Sequence, residues 1–169
     1  MLKKMMTSLI CLLAFSTVVL ADDVIGFWKT ISDKTGKAES IIAVYQYQGK
    51  YYGRIIATFD KNGKVDDSIE APKDRAPGVV GNPFYSGLDI IWDLKPEGSK
   101  YSKGKIMDPE QGKIYNAEMW TNKGNLVVRG EIWLFGENQT WPPATESDFP
   151  PGFKKPNLAT LVPEIHEVK

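Results

Sequence analysis

The chain has 169 residues, with 21 Lys and Arg against 21 Asp and Glu, one histidine and one cysteine. That balance, with no basic block, leaves no electrostatic footprint for nucleic acid or for an anionic membrane surface. The histidine, His166, stands in a polar tail near the end, so Ser/His/Asp or Cys/His nucleophile pairs and His or Cys clusters for zinc or copper are excluded.

In chain order, residues 1–21 read as a secretory signal. Lys3 and Lys4 precede an apolar run from Leu9 to Leu20, and Val19-Leu20-Ala21 forms a cleavage site ahead of Asp22. The run contains Ser16 and Thr17 and falls short of the roughly 20 residues needed to span a bilayer. Export to the periplasm or the medium is expected, with no membrane span after cleavage. The mature chain, 148 residues with 19 basic and 21 acidic side chains, retains no thiol and so no disulfide. It fits one domain that buries about two thirds of its unfolded surface without staples.

From residue 22 to 141 no segment sustains a helical period, whereas runs rich in Val, Ile, Tyr, Phe and Trp recur between Gly, Asn, Asp and Pro clusters. Strands are predicted over 24–30, 39–47, 51–59, 88–94, 101–107, 114–121, 126–135 and, briefly, 139–141. The stretch 64–86, with Pro72, Pro77, Gly78, Gly81 and Pro83, is a long connection with room for a short helical turn. A Gln48-Gly49 turn places Tyr47 opposite Lys50 and Val44 opposite Gly53. A Lys123-Gly124 turn places Trp120 opposite Val127 and Glu118 opposite Arg129.

Strand side chains alternate with period two, so the second hairpin sorts Tyr115, Ala117 and Met119 with Val128, Gly130 and Ile132 on an apolar face expected to be core. Its other face carries Ile114, Asn116, Glu118 and Trp120 with Val127, Arg129, Glu131 and Trp133. That face reads either as a solvated exterior crossed by a Glu118–Arg129 ion pair or as a partly polar groove.

Between two of these strands, "DPEQGK" sets Asp108 and Glu110 two apart before Gly112-Lys113. A calcium loop needs more oxygen ligands and a distal bidentate Glu, and a P-loop needs an upstream glycine. Turn chemistry accounts for each residue instead. Asp108 accepts from the backbone ahead, Pro109 presets φ, and Gly112 tolerates the left-handed conformation. No metal or cofactor is expected. A hydrolase would have to rest on carboxylates alone, for which Asp89, Asp93, Glu118 and Glu131 are the candidates.

Seven or eight antiparallel strands joined by short turns must manage their edges, and closure removes them. The expected fold class is all-β, an up-and-down antiparallel barrel of about eight strands, with a two-sheet sandwich as the alternative. An eight-stranded barrel has an interior that side chains fill or that admits one small ligand.

The segments "GFWKT" (26–30), "YYGRI" (51–55), "SKGKIMDPEQGKIYNAEM" (102–119) and "LVVRGEIWLFGENQTW" (126–141) resemble, in order and spacing, the bacterial exported domain-of-unknown-function family 2147. The resemblance implies a lipocalin-like, calycin-type barrel that holds a hydrophobic or amphipathic ligand, with no established reaction. Met107 stands where the family usually has an aromatic, and "GENQTW" replaces a more basic run. No catalytic residue is carried over.

The resemblance gives a barrel domain over 22–141 and leaves 142–169 as an extension holding six of the chain's eleven prolines. This extension either stays flexible or wraps the barrel through Phe149, Phe153 and the "LATLV" segment. The leading functional expectation is a non-enzymatic binding protein for a small hydrophobic or amphipathic ligand, its site lined by Trp28, Tyr45, Tyr52, Trp92 and Trp120. An envelope-associated protein-interaction module and a carboxylate-based hydrolase are the alternatives. Oligomeric state is open.

Overall fold

The structure, a computed structural model, describes residues 23–132 and 135–169. The signal sequence read over 1–21 and Trp133 of the outer-face set lie outside the described residues. Among the described residues nine strands follow one another: β1 (Gly26–Ile31), β2 (Ala38–Tyr47), β3 (Lys50–Phe59), β4 (Val65–Ser68), β5 (Asp89–Glu97), β6 (Lys100–Asp108), β7 (Lys113–Asn122), β8 (Asn125–Ile132) and β9 (Phe135–Trp141). Among the described residues no helix is long and apolar enough to cross a membrane.

Eight of the strands form an antiparallel meander in the order β1-β2-β3-β5-β6-β7-β8-β9, with β4 attached to β3 off that path. The two ends of the meander meet. Lys29 N–H donates to Pro142 O at 2.9 Å, Ala144 N–H donates to Phe27 O at 2.8 Å, and Trp28 bridges Pro143 between them. The result is a nearly closed eight-stranded barrel. The sandwich alternative falls, because each strand neighbours the next in one continuous sheet.

The tight turns explain the register. Gln48 and Gly49 sit at φ 49° and 77°, Lys123 and Gly124 at φ 50° and 79°, the paired positive φ that matches the right-handed twist of the flanking strands. The expected partners Tyr47↔Lys50, Val44↔Gly53, Trp120↔Val127 and Glu118↔Arg129 are all observed. Two elements differ from expectation. β9 begins at Phe135 and not near Gln139, because the join after β8 carries none of the Gly, Pro, Asn or Asp residues that mark a turn. β4 was hidden in the long connection, since "VDDS" shows no alternation of apolar and polar residues.

β2 is buried on both faces, from Ser40 to Tyr45. Its inward residues Ile42 and Val44 join Leu94, Tyr101, Met119 and Leu126 in packing the barrel end that carries the tight turns. Its outward residues Ile41 and Ala43, with Ile56 and Ala57 of β3, are covered by the extension. Phe149 meets Phe27 edge-on at 5.9 Å and stacks on Phe153 at 5.4 Å, while Leu158 and Leu161 pack alongside. Beyond them the chain reaches the opposite barrel end, where Val80 N–H donates to Glu167 O and Lys169 N–H to Gly78 O. The extension is therefore a strap along the outside of β1, β2 and β3.

Candidate functional site

At the end opposite the tight turns the interior is unfilled, and a cavity of about 600 Å³ opens there. This volume lies within the roughly 300–1,000 Å³ typical of small-molecule sites. Its deeper wall is apolar, made by Ile55 of β3, Ile90 of β5, Ile106 and Met107 of β6, Val128 of β8 and Trp141 of β9. The indole of Trp141 is 2% exposed and its Nε1–H donates to Gln139 Oε1 at 3.0 Å, which fixes the ring. Gly130, facing inward beside Ile106, leaves room that any larger side chain would occupy.

One stripe of the wall is polar. Thr30, Ser40 and Thr58 lie side by side on β1, β2 and β3, since Thr30 pairs with Ser40 and Ser40 with Thr58, and all three face the cavity. Thr30 Oγ1 accepts from Ser40 N–H at 3.0 Å, and the Thr30 and Ser40 hydroxyls share one hydrogen bond at 2.7 Å. Exposed residues Glu39, Glu110, Gln111 and Glu137 form the rim, with Asp108 and Pro109 beside them.

The "DPEQGK" corner is part of this rim. Asp108 Oδ1 accepts from Glu110 N–H at 2.9 Å and from Gln111 N–H at 3.0 Å, and Gly112 takes φ 67°. These are the turn roles expected of the sequence. The corner is also held from outside. Gly78 N–H donates to Pro109 O at 3.0 Å, and a side chain on Gly78 would overlap the backbone of Gly112. Tyr85 lines the cavity near the corner; burial raises its pKa first, and the negative charges of Glu110 and Asp108 raise it further.

The five aromatics expected to line a site fall elsewhere. Trp28 faces the interior, opposite Ile42, but packs in the core with Nε1–H donating to Val24 O at 2.9 Å. Tyr45 and Tyr52 pair across β2 and β3 on the outer face, stacked at 5.6 Å. Trp92 is opposite Lys105, and Trp120 is opposite Val127 beneath the Lys100 ammonium at 4.3 Å. Their strand neighbours Ile106, Tyr115 and Val128 face inward, which turns Trp92 and Trp120 outward. None of the five is among the lining residues.

The carboxylates proposed for hydrolysis also lie outside. Asp89 is fully buried under the strap and accepts from Tyr45 OH (2.7 Å), Arg54 Nε (3.2 Å), Arg54 Nη2 (2.6 Å) and Glu164 N–H (2.8 Å). Burial drives the Tyr45 phenol far above its ordinary pKa, and Asp89 adds to this. For Arg54 burial works downward, but the bonds and charge of Asp89 outweigh it and the net direction is up. Asp93 pairs with Lys50 at 2.6 Å, which is the main cause of its lowered pKa, and accepts from Tyr52 OH. Glu118 forms its ion pair with Lys100 at 3.5 Å rather than with Arg129, its cross-strand neighbour. Glu131 stands opposite Asn116 on the same outer face.

Sequence reasoning overlooked Trp141, Gln139, the hydroxyl stripe and the rim acids Glu39 and Glu137. The signal for Trp141 and Gln139 lay in carrying the alternation of β8 one strand further, since Leu126 pairs with Trp141 and Val128 with Gln139.

Among solved structures the chain resembles one described as "Protein HP1028 from the human pathogen Helicobacter pylori belongs to the lipocalin family", with a TM-score of 0.59 and 18% identity over 75% of this chain and 86% of that one. At that identity the likeness concerns the fold. Among curated proteins none matches. The family model described as "Uncharacterized protein conserved in bacteria (DUF2147)" matches residues 26–142, the whole barrel from β1 to the closing segment. By that match and by its lipocalin-like barrel, the chain belongs to this bacterial family.

Proposed function

We propose that this protein is an exported, non-enzymatic binding protein that carries one small amphipathic molecule in the open end of its barrel. The observation that supports the reading most directly is the unfilled 600 Å³ interior, with Trp141 and aliphatic side chains below and polar side chains at the rim. A core optimised only for stability would fill this space, because an apolar void forfeits packing on every wall. Lipocalin-like barrels typically use such an interior to hold ligands, and the family resemblance points the same way. Export rests on the Lys3-Lys4 segment, the apolar run and the Ala21 cleavage site, with a mature chain free of cysteine. The five aromatics first favoured give way in this reading to Trp141, Tyr85, Tyr115 and the aliphatic wall.

The test is native mass spectrometry of protein purified from its own cell envelope, followed by organic extraction, together with tryptophan-fluorescence titrations against fatty acids, alcohols, amines and lipids. A bound small molecule, lost when Gly130→Phe fills the cavity of a still-folded barrel, is the expected result. Absence of any co-purified molecule together with flat titrations and unchanged melting across the panel would sink the reading.

A further inference from the structure

We propose, building on the binding reading above, that the ligand is an organic cation: a protonated amine carried on an apolar body. The cavity wall is what makes this a site; its polar atoms decide the class. Among the described residues four acidic side chains, Glu39, Asp108, Glu110 and Glu137, line the cavity, and no Lys or Arg does. Among the described residues none of the four takes part in an ion pair. One cation among the described residues is hydrogen-bonded to a lining residue: Lys113, whose ammonium donates to Gln111 Oε1 at 2.9 Å. It is offset by Asp33, which accepts from Gln139 Nε2 at 3.3 Å. The mouth therefore carries an excess of negative formal charge in a protein whose charges otherwise balance.

The acids are placed for a field and not for coordination. They come from β2, the β6–β7 corner and β9, on different sides of the mouth. Among the described residues no three His, Cys, Asp or Glu side chains gather into a group that could hold a metal ion. A ring of separated carboxylates around a low-dielectric throat attracts a diffuse or mobile charge of opposite sign. The direction in which Glu110 and Asp108 push the half-buried Tyr85 phenol agrees with such a field.

The hydroxyl stripe supplies the short-range half. Thr30 and Ser40 are each about nine-tenths buried; their hydroxyls share one hydrogen bond and Thr30 Oγ1 also accepts from Ser40 N–H, so among the described residues at least one Ser40 oxygen lone pair and one hydroxyl hydrogen are without a partner beside the cavity. Thr58 continues the row. An ammonium has three donors and no acceptor, and the rim carboxylates, which only accept when ionised, together with the hydroxyl oxygens of the stripe can receive them. A carboxylate or phosphate headgroup would meet four acids and no basic side chain, the kind of like-charge juxtaposition that excludes a partner. The aliphatic floor then takes the chain or ring that carries the amine.

The test is a matched headgroup series on the mature full-length protein: decylamine, decanol and decanoate, each below its micelle concentration, read by tryptophan fluorescence and calorimetry. Decylamine is expected to bind at least about tenfold more tightly than decanol and decanoate more weakly than either, the amine preference shrinking as salt is raised. The triple variant Glu39→Gln, Glu110→Gln, Glu137→Gln should remove most of the amine preference while leaving decanol affinity within about twofold, a readout that general unfolding would not give. If decanol or decanoate equals or exceeds decylamine, the cation assignment is overturned while the binding reading stands. Were none of the three to bind, and Gly130→Phe to change nothing, the binding reading itself would fall and take the assignment with it.

Discussion

At Asp89 the chain spends a buried charge on the outside of its barrel. The carboxylate is wholly enclosed, both oxygens are occupied, and two of its donors come from Arg54 while a third is the Glu164 amide of the strap. Removing one member leaves the other charge buried and unpaired, which typically costs about 3–5 kcal/mol. Asp89→Asn is expected to lose stability in that range in urea denaturation, whereas Asp89→Leu with Arg54→Met should recover much of it, since an apolar pair of similar bulk is often neutral there. Equal stability of the single and double variants would contradict this account. Gly78 offers a second residue-scale case. Its Cβ would overlap Gly112, so Gly78→Ala must displace the corner at the cavity rim; a loss of roughly 1–3 kcal/mol is expected from such overpacking, with altered exchange of the Gly112 amide as its local sign.

Among the elements, the extension after Trp141 carries the clearest consequence. Prolines keep it out of a long helix and a central strand, leaving only the single 3-10 turns Glu146–Asp148 and Leu158–Thr160, yet Phe149, Leu158 and Leu161 give it enough apolar surface to cover Ile41, Ala43, Ile56 and Ala57. Truncation after Ala144 should keep the barrel-closing bonds, expose that patch, strip the Glu164 amide from Asp89 and Val162 O from Arg54, and lower the melting temperature by several degrees. The outcome is read by thermal melts and dye binding to exposed apolar surface. The strap also has a pH dependence. Burial works to raise the Asp148 pKa, but the Thr145 backbone and hydroxyl bonds and the Lys29 ammonium at 2.9 Å prevail, and the net shift is downward. A carboxyl depressed in the folded state adds stability that is complete above its unfolded value of about 3.9 and is lost as pH falls through the lower folded value. The segment around Phe149 should therefore stay protected from exchange at neutral pH and loosen below about pH 4. Asp148→Asn should loosen it already at pH 7, and identical protection in both proteins would refute the linkage.

For the whole molecule, topology decides where chemistry can occur. Closure of the meander through Phe27, Lys29, Pro142 and Ala144 leaves one barrel end packed and the other open, so a single molecule in the open end should stabilise the fold by mass action. Decylamine at a hundred times its dissociation constant should then raise stability by about 2.7 kcal/mol, measured as a shift of the urea midpoint, and should do nothing for Gly130→Phe. Much of this architecture was readable residue by residue. The Gln48-Gly49 and Lys123-Gly124 turns gave both hairpin registers, alternation separated Tyr115, Ala117 and Met119 from Trp120, and Asp108, Pro109 and Gly112 announced their corner. What escaped was anything depending on strands distant in sequence. Tyr45 and Tyr52 look like lining residues until β3 is seen to place them back to back with the cavity, under a strap arriving from more than a hundred residues away. Trp141 looks like a terminal tryptophan until β9 sets it opposite Leu126 and into the same cavity wall as Val128 and Ile55.

The sequence by itself determined the all-β class, the local registers and the family, because these follow from residue type and nearest-neighbour geometry. Only the tertiary structure decided which face of β2 and β3 turns inward, that the interior is left open at one end, and that four acids line its mouth. Closure is a long-range event, and where both faces of a strand are apolar or aromatic, as in β2, a period-two pattern does not say which of them the barrel will enclose.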